Sequence, residues 1–510
     1  MSTERNSGSV TDRTNHERSP SLEEHLEHAG VGMFQLCIFL IASLMVAADG
    51  MEMTVISLLR KPLQKEWQLN DYEFSSVGST VFAGLLLGNL IGGYLADRYG
   101  RRTTMISISV LFCVFGILSA LATNIWVFAI SRFFTGVGVG SMVPVSDSHL
   151  LEWSPKEWRA RLAMSLTGLA FAVGAAFACV VGITMHDSFD DHSWWRYMLA
   201  VCVLPGLVSL PLILLFLPES PHWLLVQGKD EEVQRLMVQL CEWNGVHPLA
   251  EGRVSLPEEA PPPSPTPSTK GHWGLMLSVD DFSIGEIFGR RLLSTSLFCT
   301  VAWIVCGFIY YGHIFIYPII LEDEYGMEIK EAYSTVLISI GVELFAVVVA
   351  MILMDMNGIG RRGTMIIGFF LCFVAVCLVP FCTNLSQFIA LNSSIKGIIE
   401  GPFTLIYVFA GELFPTTHRG VAVAICNSFG RIAAMIAPVV LTACFHVSLL
   451  SVYIGLGLFA LGGLLAAVYF NRETLGRPLV SYTRQIDPYE EAPPLFFTWE
   501  STDDENKHSA

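Results

Sequence analysis

The chain has 510 residues, 52% of them hydrophobic and only 15% charged, with a mean hydropathy of +0.53. That composition excludes a soluble globular protein and a disordered one, and it describes a chain whose solvent is mostly lipid. The formal net charge of -16, with no basic stripe anywhere, excludes nucleic acid as a partner.

Residues 1–30 are polar, rich in Ser, Thr, Glu, Arg and His, and hold no apolar core of the length a secretory signal needs, so they read as a disordered tail. Twelve apolar stretches follow, with cores near 33–57, 75–96, 103–123, 125–148, 162–184 and 195–217, then 292–320, 331–355, 364–382, 387–410, 420–446 and 448–470. Each supplies the roughly 20 residues a helix needs to cross a bilayer. The expected fold is an all-α membrane protein of twelve transmembrane helices, six in 31–217 and six in 292–470. Between them, 218–291 is a polar loop with a helical piece near 229–243 and the linker Pro261-Pro-Pro-Ser-Pro-Thr-Pro267, and 471–510 forms an acidic, proline-containing tail.

Two loops repeat at one offset. Asp97-Arg98-Tyr99-Gly100-Arg101-Arg102 lies over Asn357-Gly-Ile-Gly360-Arg361-Arg362, and Glu152-Trp-Ser-Pro-Lys-Glu-Trp-Arg159 over Glu412-Leu-Phe-Pro-Thr-Thr-His-Arg419, both shifted by 260 residues (97 to 357, 152 to 412). A shared register in two unrelated loops implies two homologous halves. In the second copy Asn357 stands where the acid would be and Gly358 where the first arginine would be. That half is therefore expected to lack the full charge clasp unless Asp355 substitutes.

If the helices alternate, Arg98, Arg101, Arg102, Lys156, Arg159, Arg161, Arg290, Arg291, Arg361, Arg362, Arg419, Arg472 and Arg477 fall on one side, which is then cytosolic together with both termini. Arg60, Lys61 and Lys65 in the first outer loop go against that trend. Nearly all twelve cysteines sit in apolar runs without regular spacing and read as packing residues; Cys241 is the loop exception.

The loop from Gly93 through Asp97 to Arg102, the run Arg132-Phe-Phe-Thr-Gly136-Val-Gly138-Val-Gly140, Pro218-Glu219-Ser-Pro221 and Arg472-Glu473-Thr-Leu-Gly-Arg477, in this order between twelve spans, resemble the major facilitator superfamily. The resemblance covers about 30–480. The loop motifs look like those of sugar porters, but the glutamines that such porters use on a hexose are absent from the fifth and seventh spans. Ala48-Asp49-Gly50-Met51-Glu52-Met53, Phe308-Ile-Tyr310-Tyr311-Gly312 and Gly430-Arg431 with Pro438 are more similar to the branch of synaptic-vesicle-protein-like and organic-ion transporters. That likeness implies two pseudo-symmetric six-helix bundles and a small organic ion as substrate, either a carboxylate or an amine.

Charge inside lipid is costly unless paired or hydrated, so mid-membrane ionisable groups mark the candidate site. Asp49 and Glu52, three residues apart, share a face of the first span, where two close carboxylates compete for ionisation, and they suit proton coupling or a structural pairing. Lys396 and Glu400, four residues apart, are spaced for an ion pair that locks a helix or for a gating or substrate-binding role. Arg431 suits an anionic group or a salt bridge to Glu343 or Glu400, and Arg132 suits structure or proton coupling. Trp303, Phe308, Tyr310, Tyr311, His313 and Tyr317 are candidate pocket walls, while Asp147 and His149, near the cytosolic end of the fourth span, read as satisfied structural residues. No phosphate loop, nucleophile elbow or metal-spaced cluster is present, so no enzyme, cofactor or metal is expected. The reading is a proton-coupled secondary transporter in the plasma membrane or a vesicle membrane. A facilitative sugar or polyol transporter and a non-transporting vesicle-protein-like receptor are the alternatives.

Overall fold

The computed structural model describes residues 21–189, 193–249, 287–414 and 419–475. The proline-rich linker, Pro415 and Arg477 lie outside them, as does the side chain of Arg419. Among the described residues the elements are α1 (Leu22–Ala29), α2 (Met33–Leu58), α3 (Arg60–Trp67), α4 (Asp71–Tyr99), α5 (Arg101–Ala120), α6 (Ile125–Glu152), α7 (Lys156–Met164), a π-helical turn (Ser165–Ala170), α8 (Phe171–Ser188), α9 (Trp194–Cys202), α10 (Leu204–Phe216), α11 (Pro221–Val226), α12 (Asp230–Asn244), α13 (Leu293–Asp323), α14 (Ile329–Met354), α15 (Gly360–Leu378), α16 (Leu385–Leu413), α17 (Arg419–Val447) and α18 (Leu449–Tyr469).

Twelve crossings result, two of them compound: α7, the π turn and α8 form the fifth, and α9 with α10 the sixth. Eleven are long and apolar enough by themselves to cross a membrane. The twelfth, α16, is 29 residues long but carries Lys396 and Glu400 mid-way. Asn70, Asn124, Asn384 and Ser448 begin four of the spans by accepting a hydrogen bond from a backbone N–H three residues on.

Within the N-terminal half the backbones of α4 and α6 almost touch: a Cβ on Gly84 would stand 2.1 Å from Phe133 O, and one on Gly140 2.3 Å from Leu85 O. Small residues permit this approach, which replaces the hydrophobic drive that lipid cannot supply. Across the halves α4 packs on α17 and α8 on α14, so the second and fifth spans meet the eleventh and eighth. Pro144 in α6 and Pro402 in α16 each remove one helical hydrogen bond at mid-depth.

Two expectations differ from the fold. Residues 21–30 are not a disordered tail. Ser21 and Glu24 close a capping box on α1, whose Leu22 and Leu26 are buried and whose Glu23 pairs with Lys156 at 2.5 Å. Cys241 is not in a loop but on the buried face of α12.

Candidate functional site

The duplicated loops lie at one end of the molecule, called here the motif end, because Arg161 of α7 meets Asp355, just past α14, at 2.9 Å across the halves. Each loop is a clasp. Gly100, at φ +96°, curls over Glu219, whose Oε1 accepts the backbone N–H groups of Arg101 at 2.8 Å and Arg102 at 3.1 Å. Gly360, at φ +65°, curls over Glu473, which accepts those of Arg361 at 3.0 Å and Arg362 at 2.9 Å. Only glycine combines that backbone with room for the carboxylate: a Cβ would meet Glu219 at 2.3 Å and Glu473 at 2.5 Å.

Arg101 then reaches Asp97 and Glu152, each at 3.0 Å, and Arg361 reaches Asp355 at 3.3 Å and Glu412 at 3.2 Å. Arg102 donates to Leu214 O at 2.8 Å and Arg362 to Val468 O at 2.9 Å. The second half thus has its full clasp, with Asp355 in the place of the missing acid. Asn357 and Arg98 are exposed; Arg98 donates to Tyr94 Oη at 2.7 Å, and no described atom crowds a Cβ at Gly93. Arg159 bonds Ser154 O at 3.0 Å.

The opposite, far end is locked by the residues that broke the charge trend. Arg60 grips Asp71 at 2.8 Å and, across the halves, Asp323 at 2.5 Å. Burial works to lower the pKa of this guanidinium, but the hydrogen bonds it donates to Asp323 and Asp71 outweigh it and hold the group above its ordinary range. Lys330 reaches Asp187 at 2.6 Å, and Tyr333 donates to Leu58 O.

Between the two ends a pocket is enclosed by both halves. Asp49, Val143, Thr167 and Phe171 line it from one side, and Tyr310, Tyr311, Glu400, Phe403, Thr404, Tyr407 and Arg431 from the other. Its free volume is about 20 Å³, room for about one water. Arg431 Nη1 donates to Tyr311 Oη at 2.7 Å and Nη2 to Tyr407 Oη at 3.3 Å. Arg431 Nε, Asp49 Oδ1 and Glu400 Oε2 are buried without a protein hydrogen bond.

The charge pairing differs from the expected one. Asp49 enters the pocket, but Glu52 turns away and pairs with Arg132, which also donates to Ser119 Oγ. Lys396 pairs not with Glu400 but with Glu343, at 2.8 Å, and Tyr310 Oη donates to the same Glu343 at 2.6 Å. Arg431 bridges to neither glutamate. Trp303 stands behind Tyr407, ring centroids 4.3 Å apart, and Phe308 stacks on Phe459; neither lines the pocket, nor do His313 and Tyr317. His149 is fully buried with no hydrogen-bond partner on either ring nitrogen, and Asp147 Oδ1 has none, so the expectation that both are satisfied is not met.

Sequence reasoning missed Val143, Thr167, Phe171, Phe403, Thr404 and Tyr407. For the last two a signal existed: they follow Glu400 by four and seven residues, on one helix face. Thr167 lies in the π turn, and Phe171 follows it. Phe171 sits where α8 touches α2, a Cβ on Gly50 being 2.0 Å from its carbonyl oxygen. No pattern in the sequence marks either.

Residues 50–485 match the family model for sugar (and other) transporters. The synaptic vesicle 2-related protein of Pongo abelii is 29% identical over 465 residues, covering 90% of this chain and 82% of that protein. Organic cation/carnitine transporter 7 of Arabidopsis thaliana is 28% identical over 461 residues, covering 84% and 89%. Among solved structures, the proton:xylose symporter XylE bound to 6-bromo-6-deoxy-D-glucose shares the fold with a TM-score of 0.69, at 21% identity and over 88% of this chain and 98% of its own. A model spanning most of the chain, the duplicated clasp and twelve crossings in two bundles lead to one conclusion: this is a multi-pass membrane protein belonging to the sugar (and other) transporter family of the major facilitator superfamily.

Proposed function

We propose that the protein moves a small organic ion across a membrane by alternating access, coupled to protons. The observation that carries this is the pocket shared by the halves, where Asp49, Glu400 and Arg431 each hold an unsatisfied polar atom within an aromatic wall. Two carboxylates against one guanidinium favour a substrate bearing an ammonium group, which the faces of Tyr310, Tyr311 and Phe403 also attract. Arg431, forked between two tyrosines, suits a carboxylate on the same or another solute.

Opening toward the far end breaks the Arg60 lock, and opening toward the motif end breaks Arg161–Asp355; the rocking of two bundles about the pocket alternates between them. Asp49 in the pocket and Glu52 against Arg132 supply acids for proton coupling. The motif end, with its arginines, faces the cytosol. A relative named for synaptic vesicles and one named for organic cations and carnitine are in keeping with a vesicle or plasma membrane and an organic ion.

Proteoliposomes given labelled small amines, carboxylates and sugars at two pH values test this. Accumulation of an amine or carboxylate driven by a pH gradient, lost in Asp49→Asn, is expected. Uptake competed by glucose and indifferent to Asp49→Asn and Arg431→Ala would turn the reading to a sugar facilitator.

A further inference from the structure

The C-terminal half holds a second polar row that the pocket does not account for. Helical spacing puts Tyr310, His313 and Tyr317 on one face of α13, and Asn392, Lys396 and Glu400 on one face of α16. The two faces meet. His313 Nε2 lies 3.3 Å from Asn392 Oδ1, which also accepts Tyr453 Oη at 2.9 Å, and the His313 ring stacks on Tyr317 at 4.9 Å. Lys396 and Tyr310 converge on Glu343 one step deeper.

None of these side chains is more than 3% exposed, yet His313 Nδ1 and Glu400 Oε2 close no hydrogen bond with the protein, and Tyr317 Oη and Ser393 Oγ have only each other. Inside a bundle bathed in lipid, backbone and side-chain polar groups have no outside solvent to satisfy them. Unsatisfied atoms strung along one row form the kind of place that internal water fills. The row begins at Tyr317, six residues before Asp323 at the far end, and finishes at Glu400 in the pocket wall.

We propose that this row is a hydrated proton path from the far end to Glu400, separate from the cleft through which solute passes. The inference rests on the proton-coupled reading above. A proton taken from water at the far end is handed along by water, His313 Nδ1 accepting and returning it, until a Glu400 oxygen binds it. Glu400 releases that proton to the other side when the pocket opens toward the motif end, so one proton is moved and no bond is otherwise made or lost. Around Glu400 stand Lys396 on its own helix, Glu343 from α14, Asp49 from α2 and Arg431 from α17, and these charges together decide whether it binds. Tyr310, Tyr311 and Cys306 of α13 and Tyr407 of α16 complete its neutral surroundings, and Cys179 of α8 lies against the Lys396–Glu343 pair.

Hydroxyl-radical labelling by X-ray radiolysis of the full-length protein in nanodiscs reads internal water without any solute. His313 and Tyr317 are expected to label at least tenfold faster than Phe369, which is equally buried, and Ser393→Leu to slow that labelling at least fivefold. Labelling of both at the Phe369 rate overturns the proposal. In proteoliposomes, with tetramethylammonium as probe and trapped pyranine reporting protons, His313→Phe and Asn392→Leu are expected to slow proton-driven uptake at least tenfold. Tetramethylammonium self-exchange should stay within twofold of wild type in both. Variants that match wild-type proton flux overturn the path alone, whereas a wild type that carries the cation without protons overturns the coupling reading and the path with it. Where this cation is not carried, the labelling decides.

Discussion

Arg60 and Asp323, 2.5 Å apart, join the two halves of the chain at the far end, and the same guanidinium holds Asp71 of its own half at 2.8 Å. A hydrogen bond to a charged partner contributes about 1.5–3 kcal/mol, so cutting this one shifts a balance between open and closed states by about tenfold or more. Arg60→Ala is expected to raise the rate at which a cysteine placed at Leu59 reacts with a membrane-impermeant thiol reagent. Arg60→Lys should restore little of the lock, because an ammonium cannot bridge two carboxylates in a planar fork. Unchanged labelling in Arg60→Ala would remove the lock.

The two clasps predict matched effects in the two halves. Gly100→Ala and Gly360→Ala each force a side chain onto a left-handed backbone and into a carboxylate, and should destabilise the protein by about 1–3 kcal/mol. Glu219→Gln and Glu473→Gln keep the shape but weaken the backbone hydrogen bonds that each carboxylate accepts, and should cost less. Thermal unfolding of the four variants in detergent gives the ranking; a silent Gly360→Ala would mean the second clasp is not used.

Within the pocket, Arg431→Lys loses the fork to Tyr311 and Tyr407 while keeping the charge. KM for a carboxylate-bearing solute is expected to rise about tenfold or more, with KM for a simple amine changed less than threefold. Equal effects on both would place Arg431 outside substrate contact.

His222, in the short helix after the sixth crossing, gives a pH test outside the membrane. Burial, with the charge of Arg159 beside it, lowers its pKa from 6.5 to about 4. Between those values the unfolded chain binds a proton that the folded one refuses, so stability is full above pH 6.5 and falls as pH drops toward 4, by at most about 3 kcal/mol. Unfolding midpoints of wild type and His222→Gln at pH 7.5 and pH 4.5 should differ in slope, the variant losing less on acidification. Parallel losses would assign the acid sensitivity to other groups.

The sequence alone determined that the chain lies in lipid, crosses it twelve times and consists of two copies of one plan. Apolar runs and glycine-arginine turns are local, and both follow from the cost of carrying charge or unpaired backbone into hydrocarbon. It also narrowed the site to a few mid-membrane charges, since few reasons exist for Asp49, Lys396, Glu400 or Arg431 to be there. Only the tertiary structure decided who pairs with whom. Spacing of three or four residues puts two side chains on one helix face but says nothing of which helix supplies the countercharge. Thus Glu52 leaves Asp49 for Arg132, and Lys396 leaves Glu400 for Glu343. Asp355 completes a clasp that the loop motif left open, because the Arg361 side chain folds back onto it from the start of the next helix. Those partners come from elements 80, 53 and 6 residues away in the chain, and packing of the helices brings them within reach.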